Sequence, residues 1–310
     1  MAEPPRLPPA DLERAAGMDH ALYPFRALAG APTFIWPGHA RVALTVTIML
    51  EHRELVPPAD AHRDPRIVSP LGNFAPDWLT WSQHAYGNRV GIFRVLDVLD
   101  RFGITPSVAL GSAAAEYCPE MVDECLRRGA CFLAHGTFAT RRITSLMSEA
   151  EERAHIGESI AAVQRATGRA PQGWCGQDFN ESARTPALLA EAGIRYTTDW
   201  PNDDRPFLLG PFAGRHVLAL PPQPEWNDLE CMWLRRTPPA IWATCVTEGA
   251  AYLHEEGGGC FNLTLHPWII GQAHRIRYLA DALTAVLDRP GIWRATTDAV
   301  AQAAAAQLTA

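Results

Sequence analysis

The residues of this 310-residue chain best placed for chemistry are polar ones that follow directly on short apolar runs. In order they are Glu51 and His52, Ser112, His135, Gln177 and Asp178, Asp199, Glu225, His266 and Thr296. A carboxylate and an imidazole at one mouth can supply a general base and a metal ligand, and that donor pair suits zinc or a similar divalent ion. Singly, a histidine after a strand is more often a hydrogen-bonded structural residue, and a carboxylate there more often caps a helix or pairs with an arginine. Carboxylates and three histidines recurring at equivalent positions are harder to dismiss. Glu51 and His52 are neighbours on extended backbone, so they point to opposite sides unless the strand bends.

The elements that must position these groups alternate along the chain. Residues 41–50 (RVALTVTIML) have the composition of a strand buried on both faces. A loop of about 35 residues follows, long enough to suggest function. Residues 90–102 then carry apolar side chains at helical spacing and stop at Gly103. Further strands are expected at 107–110, 131–134, 172–175, 196–199, 216–220, 260–265 and 292–295. Helices are expected at 114–128, 148–167, 185–192, 239–255, 276–287 and 297–307, the second opening with the Ser148/Glu151 capping pattern. Such alternation means a parallel sheet covered on both sides. Eight strands favour a single (β/α) barrel, closed or irregular with seven or eight strands, over an open doubly-wound sheet. In such a barrel the listed polar residues converge on the face at the strands' C-terminal ends. The domain reading is an arm over 1–35 and one barrel over 36–310.

Composition removes several classes. All 27 basic residues are Arg, and the net charge is −7, which argues against a nucleic-acid surface and excludes lysine Schiff-base chemistry. No nucleotide-binding glycine signature occurs. No apolar run approaches the roughly 18 residues of a membrane span, and the acidic, proline-rich start is unlike a signal peptide, so a cytoplasmic protein is expected. The seven cysteines are scattered and read as reduced thiols; a nucleophilic role for Cys175, in GWCGQD, lacks an adjacent base.

The ordered segments TVTIMLEHRE, AHGTFATRRI, GWCGQDFNES, TDWPNDD and NLTLHPWIIGQAHRIR resemble the polysaccharide deacetylase (NodB-homology) superfamily, nearest its branch of metal-independent allantoinase and cyclic-imide hydrolases. The likeness runs from about Trp36 to Ala299. It implies a deacetylase-type barrel that hydrolyses a non-peptide C–N bond, with Glu51 as general base and His266 as general acid toward the leaving nitrogen, oriented by a buried carboxylate. Asp199 would hold or tune these groups. The family's ligand positions fall on His52 and His135, while Ala139 stands where a second histidine belongs, with Thr137 and Thr140 nearby. Two cofactor readings follow: one divalent metal (zinc, manganese, nickel or cobalt) on Glu51, His52 and His135, with His84 as a possible further ligand, or a metal-free site. The resemblance also implies substrate contacts from Arg89, Trp174, Gln177, Asp178, Trp200, Trp268 and His274, with Arg275 beside the last. A small cyclic amide, imide or ureide is the expected substrate; an N-acetylated amino sugar or polysaccharide is the alternative, and a non-catalytic small-molecule or glycan-binding barrel the second. No nucleic-acid or membrane partner is expected, and homo-oligomerisation, with the arm wrapping a neighbour, is.

Overall fold

The computed structural model describes residues 20–30, 33–59, 61 and 76–308. The arm expected at 1–35 and part of the loop after Glu51 thus fall partly outside the described residues. Nine strands form one curled sheet: β1 (Val42–Leu50), β2 (Ser107–Leu110), β3 (Cys131–Ala134), β4 (Gly173–Trp174), β5 (Tyr196–Thr197), β6 (Phe207–Phe212), β7 (Arg215–Ala219), β8 (Gly259–Leu265) and β9 (Ile292–Arg294). The order is β6-β7-β5-β4-β3-β2-β1-β8, parallel except for the β6/β7 pair. β8 runs along one edge of β1, while the other edge is divided between β9 at Val42–Leu44 and β2 at Thr47–Leu50. Among the described residues β6 and β8 end the path without pairing to each other, so the barrel is irregular and open there. The helices are α1 (Trp78–Tyr86), α2 (Ile92–Arg101), α3 (Ser112–Tyr117), α4 (Pro119–Arg127), α5 (Glu149–Thr167), α6 (Thr185–Glu191), α7 (Pro239–Glu256), α8 (Pro267–Ile270), α9 (Ile276–Leu287) and α10 (Thr297–Leu308).

The two-residue period of a strand divides β1 into two faces. Val42, Leu44, Val46, Ile48 and Leu50 belong to the large apolar cluster under the helices. Ala43 and Met49 belong to a second cluster inside the barrel, and the hydroxyls of Thr45 and Thr47 there donate to Asn262 Oδ1. The pattern repeats on β3, where Phe132 and Ala134 face the helices and Leu133 faces inward, and on β8, where Phe261, Leu263 and Leu265 face outward and Cys260 inward. Counting on by two places Glu51, His135 and His266 on the inner side at the top of their strands.

Four elements differ from the sequence expectation. The stretch after Glu51 contains α1, started by Asp77, whose side chain accepts from Thr80 N; a π-turn over Gly87–Gly91 carries α1 into α2. The helix expected over 114–128 is two, because Pro119 fits only the first turn of a new helix. β6 lies where no strand is expected; it returns through Ala213 and Gly214, both at positive φ, as a tight two-residue hairpin requires. The strand count among the described residues is therefore nine.

The π-turn packs backbone against backbone on α8. A Cβ on Gly91 would lie 2.1 Å from Pro267 O, and one on Gly87 2.6 Å from Trp268 N. Gly91→Ala should therefore cost about 1–3 kcal/mol. Gly157→Ala, on the exposed side of α5 with open space around it, should be neutral or stabilise by up to about 1 kcal/mol. Urea midpoints of the two variants check this; equal midpoints would remove the close approach as a constraint.

Candidate active site

At the strand tops the inward-facing side chains meet around two small adjoining cavities. The first is lined by Met49, Glu51, His135, Asp178, Leu229 and His266 among others. The second, sharing Glu51, Asp178, Leu229 and His266, adds Arg53, His84, Arg142 and Trp268. Their volumes are about 30 and 20 Å³, room for a water or two each.

Glu51 and His135 form one pair on this wall. His135 is buried; Nδ1 lies 2.6 Å from the Cys175 carbonyl oxygen and Nε2 lies 3.2 Å from Glu51 Oε1. Nδ1–H must donate to the carbonyl, so the Nε2···Oε1 contact needs one proton. Burial pushes Glu51 up, but the hydrogen bond and charge of His135, aided by His266 and His84, hold its carboxyl down at about 2. Burial opposes the charge on His135, yet its bonds to Cys175 and Glu51 hold it well above the imidazole range. The pair is a carboxylate and an imidazolium at neutral pH.

His266 and Asp228 form the other pair. Asp228 is fully buried; it accepts from His266 backbone N at 3.0 and 2.8 Å and lies 2.7 Å from its Nδ1. That leaves Nε2 as the ring nitrogen able to donate to a ligand. Burial lowers the His266 pKa, but Asp228's charge and hydrogen bond, then the charges of Glu51 and Asp178, raise it above the usual range. One wall thus carries an ionised acceptor and a protonated donor. Arg142 pairs with Asp178, which sits at φ 51° in a strained turn. Cations and anions therefore alternate round the cavity.

Of the residues expected at the site, Glu51, His135, Asp178, His266 and Trp268 are brought together, and His84 joins them. Others stand elsewhere. His52, on the opposite parity from Glu51, stacks on Tyr117 at 4.7 Å and meets Trp81 edge-on. Trp174 faces the helices and is fully buried in the outer core. Trp200 donates Nε1–H to Glu181 and packs edge-on against Tyr23. Asp199 accepts from Gly176 N through both oxygens and pairs with Glu181, behind the turn that carries Gln177 and Asp178. Burial pushes Asp199 up to about 6, and burial with Asp199's charge pushes Glu181 well above its range, so the pair shares a proton. Gln177 donates to the His135 carbonyl at 2.5 Å and so braces His135 from behind. Arg89 and His274 are exposed and outside both cavities. Arg275 donates to Ile269 O at 3.3 Å.

The remaining strand-end candidates are structural. Ser112 donates to Gly136 O, Thr296 caps α10, and Glu225 is exposed and paired with Arg235. Cys175 is fully buried with its thiol pushed up by burial, which makes it a poor nucleophile. All seven cysteines are free. Sequence reasoning did not name Asp228, Arg53 or Arg142.

The donor set expected for a metal does not assemble. His52 faces away, His135 has both ring nitrogens engaged, and among the described residues no group of three His, Cys, Asp or Glu side chains is placed to hold an ion. Among the described residues no helix is long and apolar enough to cross a membrane.

No protein-family model and no curated protein matches the chain. Solved structures do. The PuuE allantoinase matches with a TM-score of 0.78 at 23% identity, over 91% of this chain and 97% of that one. A Pseudomonas aeruginosa PAO1 protein described as a polysaccharide deacetylase matches at 0.78 and 24%, over 91% and 97%. A Mycobacterium smegmatis protein described likewise matches at 0.77 and 23%, over 93% and 96%. The chain has the deacetylase-type (β/α) barrel fold shared by these polysaccharide deacetylases and an allantoinase.

Proposed function

We propose that this chain hydrolyses a non-peptide C–N bond, in a small cyclic amide, imide or ureide. The observation that carries the reading is the pairing, on one cavity wall, of the ionised Glu51 with the protonated His266, each fixed by its own buried partner. Glu51 takes a proton from water as the water oxygen attacks the carbonyl carbon. His266 Nε2 then donates its proton to the nitrogen as the C–N bond breaks. This leaves a carboxylic acid at one end of the opened ring and, at the other, an amine, amide or urea according to whether the ring was a simple amide, an imide or a ureide. Arg53 and Arg142 line the same cavity and contribute positive charge there toward the developing oxyanion.

A carboxylate held at about 2 is a weak base in isolation. Here the negative charge does not leave the site: it moves from Glu51 to the oxyanion a few atoms away. The cations that depress Glu51 also stabilise the charge that replaces it, so much of the penalty cancels. No step is routed through a metal ion, because the donors present do not fit one.

What supports a small ring substrate over a polymer is the resemblance of the five ordered segments to the allantoinase and cyclic-imide hydrolase branch, together with the fold shared with the PuuE allantoinase. A panel of hydantoin, succinimide and N-acetylglucosamine oligomers, assayed for ring opening and for acetate release, tests the reading. Ring opening supports it, acetate release favours the deacetylase alternative, and neither favours the binding barrel. Homo-oligomerisation is also proposed; light scattering that returned the mass of one chain would remove it.

The charge states set the pH dependence. Glu51 must be ionised, which holds at all pH well above about 2. His266, raised above 6.5, must be protonated, which holds below 6.5 and fails as pH rises through its folded value. The same raised pKa contributes stability that is fully present below 6.5 and lost on that alkaline rise. The kcat/KM profile should be flat up to 6.5 and fall only at a pH above it; a fall on the acid side of 6.5 would contradict the assignment.

A further inference from the structure

The second cavity carries two polar atoms that nothing among the described residues satisfies. His84 Nε2, from α1, and Trp268 Nε1, from α8, are both buried without a hydrogen-bond partner, and both residues line the cavity beside Glu51 and His266. Their rings lie 4.1 Å apart at 32°, and Trp268 is 7% exposed with Trp233 edge-on behind it. A buried group left unpaired costs free energy, and two orphans at one ligand wall mark groups that a ligand completes. The indole N–H can only donate. Burial, with the charge of Arg53, holds His84 down at about 3, so its ring is neutral and offers one lone pair as well as one N–H.

An acceptor beside a donor is complementary to an N–H beside a C=O. Acyclic secondary amides are trans and present these groups on opposite sides. A ring forces the amide cis, which puts both on one edge. Resting on the hydrolase reading above, we propose that His84 and Trp268 form the recognition edge that selects a ring amide, Nε2 of His84 accepting from the ring N–H and Nε1–H of Trp268 donating to the adjacent C=O. A ring held on this edge lies against Glu51 and His266. Neither residue enters the proton transfers, so both set specificity and not the chemical step.

The test uses the full chain carrying Glu51→Gln, so that bound ring is not turned over, at pH 7. Hydantoin, its N,N′-dimethyl derivative and acyclic N-methylacetamide are titrated by calorimetry, and the indole N–H resonances are followed by NMR, that of Trp268 being assigned by its loss in Trp268→Phe. Hydantoin is expected to bind about 10-fold or more tightly than either analogue and to move the Trp268 N–H resonance downfield. Trp268→Phe and His84→Phe are each expected to lower hydantoin affinity about 5- to 10-fold and remove the preference over the analogues. Equal affinity for the three probes overturns the proposal even if both variants fail to fold, and hydantoin binding with the assigned Trp268 resonance unmoved overturns it as well. Ring opening by the unsubstituted chain with no such shift sinks this inference alone. A shift without ring opening sinks the hydrolase reading and leaves the recognition edge standing.

Discussion

Glu51→Gln is expected to lower kcat/KM for ring opening by about 10²- to 10⁴-fold, the usual contribution of a general base, while leaving the fold intact. The substitution keeps the shape of the side chain and one oxygen within reach of His135, but it removes the negative charge that takes the proton from water. It also removes one of the two partners that raise His135, the Cys175 carbonyl being the other, so the imidazole pKa moves down under burial. The depressed Glu51 pKa contributes stability above the ordinary carboxylate range, lost only as pH falls through about 2. The variant should therefore be less stable at neutral pH and nearly equal to the parent at the acid extreme. Ring-opening rates, with circular dichroism to show that the fold persists, read both effects. Asp199→Asn is the informative contrast: its carboxylate holds Gly176 N and meets no cavity atom, so it should reduce activity far less. A Glu51→Gln rate within about threefold of the parent would place the base elsewhere, since a base contributes at least about 10²-fold.

The strand pattern made much of this legible beforehand. Alternation along RVALTVTIML is masked by apolar residues on both faces, yet counting by two from Met49 puts Glu51 inside and His52 outside, and counting from Leu133 and Thr264 puts His135 and His266 inside with it. The same count removes Trp174, which lies in phase with the helix-facing side chains. What composition could not supply was the register of irregular segments. Asp228 is the N-cap of a short π-helical segment, Leu229–Leu234, after β7, where no period applies, so Glu225, three residues earlier, is the candidate the sequence offers there. Asp199 and Trp200 follow a two-residue strand whose neighbours are set by Glu181 and Tyr23, both distant in sequence or in an unpatterned segment. Arg89 and His274 matched a motif by sequence, but a motif does not say which way a side chain turns on a π-turn or a helix start. The antiparallel β6 was hidden because its hairpin turn uses Ala213 in a conformation that favours glycine or asparagine.

The second large effect is expected from Asp228→Asn, a residue that touches no cavity surface. Asp228 fixes His266 twice, through the backbone N–H and through Nδ1, and it is the main source of the raised His266 pKa. The amide keeps one acceptor oxygen but loses the charge. Burial, which lowers the imidazole pKa, then dominates, so His266 sheds its proton near or below neutrality and can no longer deliver one to the leaving nitrogen. The expected result is a loss of kcat/KM of about 10²-fold or more at pH 8, shrinking as pH falls toward 6, with the alkaline limb moved to lower pH. Breaking one side of a buried charged pair should also cost about 3–5 kcal/mol of stability in urea titrations at pH 6, where the parent's His266 is charged. The pH shift separates this from simple unfolding, because a destabilised but correctly charged site would lose amplitude without moving its limb. An unmoved alkaline limb in a folded Asp228→Asn protein would mean that the leaving nitrogen takes its proton from another group. Among the described cavity residues His135 is the remaining imidazole with a raised pKa, and since both its nitrogens are engaged, it could act only by first releasing Glu51.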